Sequence, residues 1–329
     1  MQNIAKLIRF EPAFDDPDLV RAMFEHHAPY RTMAGYLPTT GRDTNIPWFR
    51  GNWATNGEPL VAGAEKILQN RRFIEAARVF FGGSAVRPTF IVVNVNAPMP
   101  AGRTHVDVPT FRGVTRDHYP LLFLVAMGGS GLFESWRVIQ AGALTWFYDG
   151  PGGNFEYWPE GTNGPMSVER PPFGNVAIMA DNDRIYHRIG RVGEPDAKLP
   201  RMTSAAEIRP AGRGAWEVVE NGETRATYPS SAIRLSLLWK AIRESEAHSE
   251  VLTLDRVMSI FIADLRQRNI DFRIPNDPLS DTEWMALLDR TYTVPDFQKG
   301  ERIKSGPGQV NVIDKTAGRD YFCEPPSGK

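Results

Sequence analysis

From residue 86 to residue 240 the chain is cut into short β-branched and aromatic runs by Gly, Pro, Asn and Asp, and this punctuation restricts its fold more than any other feature. Thr89-Phe90-Ile91-Val92-Val93-Asn94-Val95-Asn96, bounded by Pro88 and Pro98, reads as a strand. Further strands are predicted over 105–108, 121–126, 142–148, 175–179, 185–188, 216–220 and 232–239. Asn221-Gly222, between strand-like flanks, is the strongest short hairpin signal. With 29 Gly and 26 Pro in 329 residues, turns outweigh long helices. Many short strands joined by such turns point to a sandwich, a jelly roll or a closed barrel.

The flanks read differently. Asp15-Asp16-Pro17-Asp18 opens a helix running through Leu19 and Met23 to His26, with acidic residues at the positive end of its dipole. A single helix is predicted over 65–81, ended by Gly82-Gly83. Val257, Ile260, Phe261 and Leu265 give an amphipathic helix over 252–268. Ser280-Asp281-Thr282-Glu283 resembles a capping box ahead of Trp284, Leu287 and Leu288. After Pro295 the chain is polar and reads as a surface-draped tail. The expected organisation is one domain, mainly β with flanking helices (α+β). It has a helical flank over 1–85, a core over 86–240 with an insert at 198–228, and a helical flank and tail over 241–329.

Charge and motif content exclude several function classes. Lys+Arg is 38 and Asp+Glu is 39, so net charge gives no case for nucleic acid or an anionic membrane. Cys323 is the only cysteine, which rules out an intrachain disulfide and a Cys-rich zinc site. No apolar run approaches the roughly 18–20 residues of a membrane span, and the N-terminus lacks a signal-peptide pattern. A cytoplasmic protein is expected, monomer or homodimer, acting on a small molecule. Walker A, HExxH and GxSxG sequences are absent, and Gly128-Gly129-Ser130-Gly131 does not follow the dinucleotide fingerprint.

Of the six histidines, only His105 has a carboxylate two residues away in a strand-like context, in Thr104-His105-Val106-Asp107-Val108. Residues i and i+2 of a strand share a face, so His105 and Asp107 can aim at one point. They supply two thirds of the facial triad of two histidines and one carboxylate that holds non-haem Fe(II). His187, 80 residues beyond Asp107 in another strand-like segment, is the natural third ligand. On spacing alone, a core-satisfied histidine and a turn aspartate are an equal reading.

A later run, Ser230 to Lys240, is apolar with Arg234 and Ser236 on one face. A buried Arg needs an anion, either a protein carboxylate or the distal carboxylate of a bound dicarboxylate.

His-x-Asp, a distal His and a late Arg-x-Ser together resemble the Fe(II)/2-oxoglutarate-dependent oxygenases over about half the chain. The resemblance implies a double-stranded β-helix, or jelly-roll, core. It implies Fe(II) held by His105, Asp107 and His187, and 2-oxoglutarate and O2 as co-substrates, the former anchored by Arg234 and Ser236. The implied outcome is oxidation of an unactivated C–H bond of a small molecule, an amino acid or carboxylate among the candidates, with release of succinate and CO2. A carboxylate at Asp107, where related halogenases have Gly or Ala, favours hydroxylation, desaturation or cyclisation. The spacing departs from the family, because 47 residues separate His187 from Arg234; an inserted hairpin would explain this, and Arg191 or Arg188 is the fallback. Asn94, with Asn96, lies inward as a co-substrate contact or outward as a polar face. Trp146 and Tyr148 are core or substrate-facing, and Arg112 is solvated or binds an anionic substrate. A cupin-like metalloenzyme without 2-oxoglutarate, and a non-catalytic ligand-binding jelly roll, are the competing readings.

Overall fold

The computed structural model describes residues 7–33, 46–116, 118–161, 163–197 and 199–292, together with 302–304 and 310–312. Its strands, in chain order, are β1 (Ile8–Phe10), β2 (Tyr30–Thr32), β3 (Trp48–Thr55), β4 (Glu58–Pro59), β5 (Val86–Asn96), β6 (Ala141–Phe147), β7 (Phe155–Trp158) and β8 (Ser167–Glu169). They continue with β9 (Ala177–Ala180), β10 (Tyr186–Ile189), β11 (Glu207–Gly212), β12 (Ala215–Glu220), β13 (Glu223–Pro229), β14 (Arg234–Arg243), β15 (Arg302–Lys304) and β16 (Val310–Val312). A large antiparallel sheet has the order β1-β9-β6-β14-β5-β3-β2-β11-β12-β13, with β4 on β3, and a small sheet has the order β10-β7-β8. Residues 99–105 run beside β10 as a further, irregular edge, through bridges Met99–Val192 and His105–His187.

The chain alternates between the two sheets. It passes from β5 (large) to 99–105 (small), β6 (large), β7 and β8 (small), β9 (large), β10 (small) and β14 (large). The last strand, β14, then inserts between β5 and β6. This path is the double-stranded β-helix, a jelly roll in which the first and last strands lie side by side.

Strand parity separates two environments. Leu235, Leu237 and Trp239 of β14 face a core packed under the N-terminal helices, where Trp239 Nε1 donates to the Leu68 carbonyl at 3.1 Å. Arg234, Ser236, Leu238 and Lys240 carry the opposite parity and face between the sheets. There they meet a second cluster containing Trp48, Met99, Trp146, Tyr148, Phe155 and Phe173. The roll therefore has a polar stripe on one wall of an otherwise aromatic interior.

The helices are α1 (Pro17–His26), α2 (Ala64–Leu68), α3 (Arg71–Phe80), α4 (Leu121–Ser130), α5 (Leu254–Gln267) and α6 (Thr282–Tyr292). α1 starts as its sequence indicates, with Asp16 Oδ1 accepting from Leu19 N at 3.0 Å and Pro17 in the first turn. The predicted helix over 65–81 is two helices, because Asn70 interrupts it: Asn70 Oδ1 accepts from Arg72 N (2.9 Å) and Phe73 N (3.3 Å), capping α3. The cap of α6 is Asp281, whose Oδ1 accepts from Trp284 N at 2.9 Å, while Ser280 bonds Asp277 instead.

The predicted strand over 121–126 is the helix α4. Its run is apolar on all sides: Phe123, Leu124 and Met127 share a core with Phe261, Leu265 and Leu288, and Val125 lines a cavity on another side. An all-round apolar segment has no periodicity to separate strand from helix. Gly128 lets α4 approach the loop after Asp107, since a Cβ there would lie 2.8 Å from Pro109 Cγ.

The stretch between β10 and β14 forms the meander β11-β12-β13, which joins the far edge of the large sheet at β2. Asn221 and Gly222 turn its second hairpin with φ of 52° and 81°, the positive values a two-residue hairpin needs. The meander accounts for the long gap between His187 and Arg234. Most of the tail expected after Pro295 lies outside the described residues; within it β15 pairs with β16. No helix among the described residues is long and apolar enough to cross a membrane.

Candidate metal centre

His105 and His187 face each other across the edge of the small sheet. Their backbones exchange both hydrogen bonds, His105 N to His187 O at 3.0 Å and His187 N to His105 O at 2.8 Å. The rings lie 4.5 Å apart between centroids. Asp107 N donates to the Asn182 carbonyl at 2.9 Å, which fixes the carboxylate two residues beyond His105. One ligand atom from each of His105, Asp107 and His187 lies within 4.8 Å of the others. Asp107 Oδ1 is 3.7 Å from His187 Nε2.

The tautomers follow from the backbone. His105 Nδ1 donates to the Arg103 carbonyl (2.9 Å), and His187 Nδ1 donates to the Ile185 carbonyl (2.8 Å). A carbonyl only accepts, so each Nδ1 carries the proton and each Nε2 carries the lone pair. Such carbonyl contacts are what fix the orientation of a metal-bound imidazole. Two neutral imidazoles and a carboxylate at this spacing are a donor set suited to a divalent first-row metal.

Burial, and next the charge of His187, lowers His105 from 6.5 to about 4, with Asp107 opposing. It is therefore neutral at pH 7, ready to ligate. The unfolded chain takes up this proton near pH 6.5 and the folded chain only near 4. Stability from the neutral ring is complete above pH 6.5 and is lost as pH falls toward 4, by up to about 3 kcal/mol for one such group. Urea unfolding of metal-free protein at pH 7 and pH 4.5 should show this loss, and His105→Gln should remove its share of the slope. An unchanged slope in that variant would contradict the assignment.

Lys240 completes the centre, and the sequence reading missed it. Its Nζ lies 3.0 Å from Asp107 Oδ2 and 3.2 Å from Asp183 Oδ1. Gln140 Nε2 donates to Asp183 Oδ2 (3.2 Å) and to Thr110 Oγ1 (3.1 Å). Burial alone would lower the Lys240 ammonium, but Asp107 and then Asp183 outweigh it and raise it. Burial would likewise raise Asp107, yet Lys240 foremost holds its carboxyl well below the usual carboxylate range. With Oδ2 held by Lys240, Oδ1 is the oxygen turned to the histidines. The available signal was parity: Lys240 stands six residues after Arg234, on the same strand face.

Deeper in the roll, Arg234 is 1% exposed. Its Nε donates to the Gly153 carbonyl at 2.7 Å, while Nη1 and Nη2 are buried without a hydrogen-bond partner among the described residues. Burial pushes its guanidinium down to about 9, so it stays cationic at neutral pH. Trp146 Nε1 and Asn96 Oδ1 are also buried without partners. Register puts all of these in one layer: Arg234 opposes Asn96, and Ser236 opposes Asn94 on one side and Trp146 on the other. Ser236 is buried, and Asn94 Oδ1 accepts from Trp48 Nε1 at 2.9 Å.

The alternative arginines are engaged elsewhere. Arg188 is in a buried pair with Glu156, Nε to Oε2 at 2.5 Å. Arg191 is exposed, with Nη1 donating to the Pro195 carbonyl at 3.4 Å. Trp146 stacks on Phe173 at 5.0 Å, and the Tyr148 hydroxyl donates to the Pro151 carbonyl at 2.8 Å. Both therefore sit around Arg234 in the aromatic interior. Arg112 is held by Glu246 (3.0 Å) and by the carbonyls of Glu250 (3.0 Å) and Ser135 (2.5 Å). Two cavities flank the Asp107 segment, of about 310 Å³ against α4 and about 280 Å³ between β5, β14 and the loop 107–116.

No family model and no curated protein matches the sequence. Among solved structures, the chain is similar to a 2OG-Fe(II) oxygenase family oxidoreductase from Burkholderia pseudomallei, with 13% identity over 72% of this chain and 84% of that one, TM-score 0.39. It is similar to a prolyl hydroxylase from Trichoplax adhaerens, solved with a hypoxia inducible factor peptide fragment, with 11% identity over 75% and 89% and TM-score 0.41. It is also similar to HygX from Streptomyces hygroscopicus, solved with nickel, 2-oxoglutarate and hygromycin B, with 9% identity over 74% and 84% and TM-score 0.37.

Proposed function

We propose that this chain is an Fe(II)- and 2-oxoglutarate-dependent oxygenase that oxidises a C–H bond of a small molecule by hydroxylation, desaturation or cyclisation. The observation that carries the reading is the convergence of His105, Asp107 and His187, with both histidines locked as Nδ1–H tautomers by backbone carbonyls. These three residues would hold the metal. When bound, Fe(II) with 2-oxoglutarate and O2 supplies the oxidation of an unactivated C–H bond, with release of succinate and CO2.

The remaining roles belong to the protein's own groups. Arg234 binds the distal carboxylate of the keto acid through Nη1 and Nη2, two donors otherwise orphaned in the interior. Ser236 and Asn94 flank that position on facing strands. Trp146, Phe155 and Phe173 exclude water around it. Lys240 keeps Asp107 ionised and oriented. A cupin-like site without a keto acid would leave Arg234 with no anion to neutralise it.

The test is product formation in air. Protein given Fe(II) and 2-oxoglutarate should release succinate in proportion to the iron added, and Asp107→Ala should release none above background. Succinate formation that survives Asp107→Ala would overturn the proposal.

A further inference from the structure

The cavity of about 280 Å³ beside Asp107 is charged in a way its structural ion pairs do not account for. Five cationic side chains line it, Arg50, Arg87, Arg112, Arg116 and Lys240, against two anionic ones, Asp107 and Glu246. Lys240 is held by Asp107 and Asp183, and Arg112 is held by Glu246. Arg87 and Arg116 are exposed and make no ion pair among the described residues. Arg116 is near enough for its charge to act on Lys240. Phe90, Leu238 and Ile242 give the lining an apolar part, beside Thr89, Thr110 and Gln140.

Arg87 faces the cavity because of a β-bulge. Lys240 opposes Phe90, Ala241 opposes Pro88 and Ile242 opposes Arg87, so Thr89 is an extra residue in β5. Lys240 and Ile242 share a face of β14, so their partners Phe90 and Arg87 share it too, although they are three positions apart. In a regular strand an odd spacing would turn Arg87 to the opposite side. Bulges recur beside active sites, where they re-aim a side chain. Arg87 lies two strand positions beyond the level of Lys240, roughly 7 Å along β14.

The geometry points to a substrate with an anionic head group, carboxylate or phosphate, bound by Arg87 and Arg116 at the mouth, and an apolar body reaching past Phe90 and Leu238 toward Asp107. This deepens, and rests on, the oxygenase reading of the same site. It assigns Arg87 and Arg116 as specificity residues and makes substrate charge the first discriminator.

The test uses three probes with one apolar chain: octanoate, octyl phosphate and octan-1-ol. Binding to the full-length protein is measured calorimetrically at low salt, without metal or keto acid. At least one anion should bind about tenfold or more tighter than the alcohol, a difference of about 1.4 kcal/mol. The tighter of the two anions identifies the head group. The preference should shrink to less than about twofold in Arg87→Gln/Arg116→Gln and persist in Arg87→Lys/Arg116→Lys, since Lys keeps the charge. Both positions are exposed, so unchanged melting temperatures should accompany these variants. No anion preference in the wild type, or a preference that survives the double Gln variant, would overturn the inference. The latter result would assign the anion to another cation, Arg50 or Lys240 of the same cavity or Arg234 in the interior. Because the assay contains no iron, loss of iron-dependent succinate release with the preference intact would remove the oxygenase reading alone.

Discussion

Arg234→Met is expected to stabilise the ligand-free protein and to weaken keto-acid binding by two orders of magnitude or more. The guanidinium is 1% exposed and, among the described residues, is hydrogen-bonded only through Nε to Gly153 and forms no ion pair with a carboxylate. Each buried donor without a partner costs about 1–3 kcal/mol. Replacing buried ionic groups by apolar side chains of similar volume is often stabilising, by about 1–4 kcal/mol. Methionine is unbranched and adapts to the space beside Phe173 and Trp146. A gain of about 1–3 kcal/mol in urea unfolding of the metal-free protein is the expected result. The same substitution removes two charge-assisted hydrogen bonds, each worth about 1.5–3 kcal/mol, from the keto acid. The dissociation constant for 2-oxoglutarate should then rise by a factor of about a hundred to more than ten thousand. Opposite signs for stability and affinity mark a residue retained for its ligand. A loss of several kcal/mol with unchanged affinity would make Arg234 structural.

Lys240→Met is expected to act in the other direction on stability. Its ammonium lies between Asp107 and Asp183, and removing it leaves two carboxylates facing each other without a cation. Breaking one side of a buried ion pair costs about 3–5 kcal/mol. The neighbourhood already strains against negative charge, since burial and then Asp183 raise Asp181 to about 7. The deficit should therefore shrink on acidification. Asp107 is held low by Lys240, and without it the carboxyl protonates at a higher pH, which relieves the repulsion. Denaturation at pH 7 and pH 5 measures both effects. A deficit under about 1 kcal/mol at pH 7 would show that solvent, rather than Lys240, balances these carboxylates.

The candidate metal centre was legible where its chemistry is local. His105 and Asp107 are two residues apart in a strand-like run, which predicts a shared side, but in the structure the strand over 105–108 reduces to one bridge at His105, and the Asp107 N–H bond to Asn182 carries the segment on. That Arg234 and Ser236 share one buried face of β14 was legible from parity, and the Asn221-Gly222 turn marked the meander that separates His187 from β14. What stayed hidden depends on contacts between distant segments or on a change of parity. Lys240 has partners at Asp107 and Asp183, far away in sequence, and nothing in its own strand names them. Arg87 faces the cavity only because Thr89 bulges from β5. The helix α4 carries no apolar period because it packs on one side and lines a cavity with apolar residues on another, so its sequence fits a buried strand equally well. The split between α2 and α3 rests on one side chain, Asn70, acting as a cap within a continuous apolar pattern.

In the proposed site His105, Asp107 and His187 hold Fe(II) while Arg234 anchors a chelating keto acid. The most direct measurement is an anaerobic titration of metal-free protein with Fe(II) and then 2-oxoglutarate, followed by visible absorption. Keto-acid chelation to iron gives a weak charge-transfer band that neither component shows alone. This band is expected in the wild-type protein at one Fe(II) per chain. None is expected in His187→Ala, and in Arg234→Met a band only at far higher keto-acid concentration. A folded, iron-loaded wild-type protein that shows no band would contradict the keto-acid assignment, and failure to bind Fe(II) would contradict the metal centre itself.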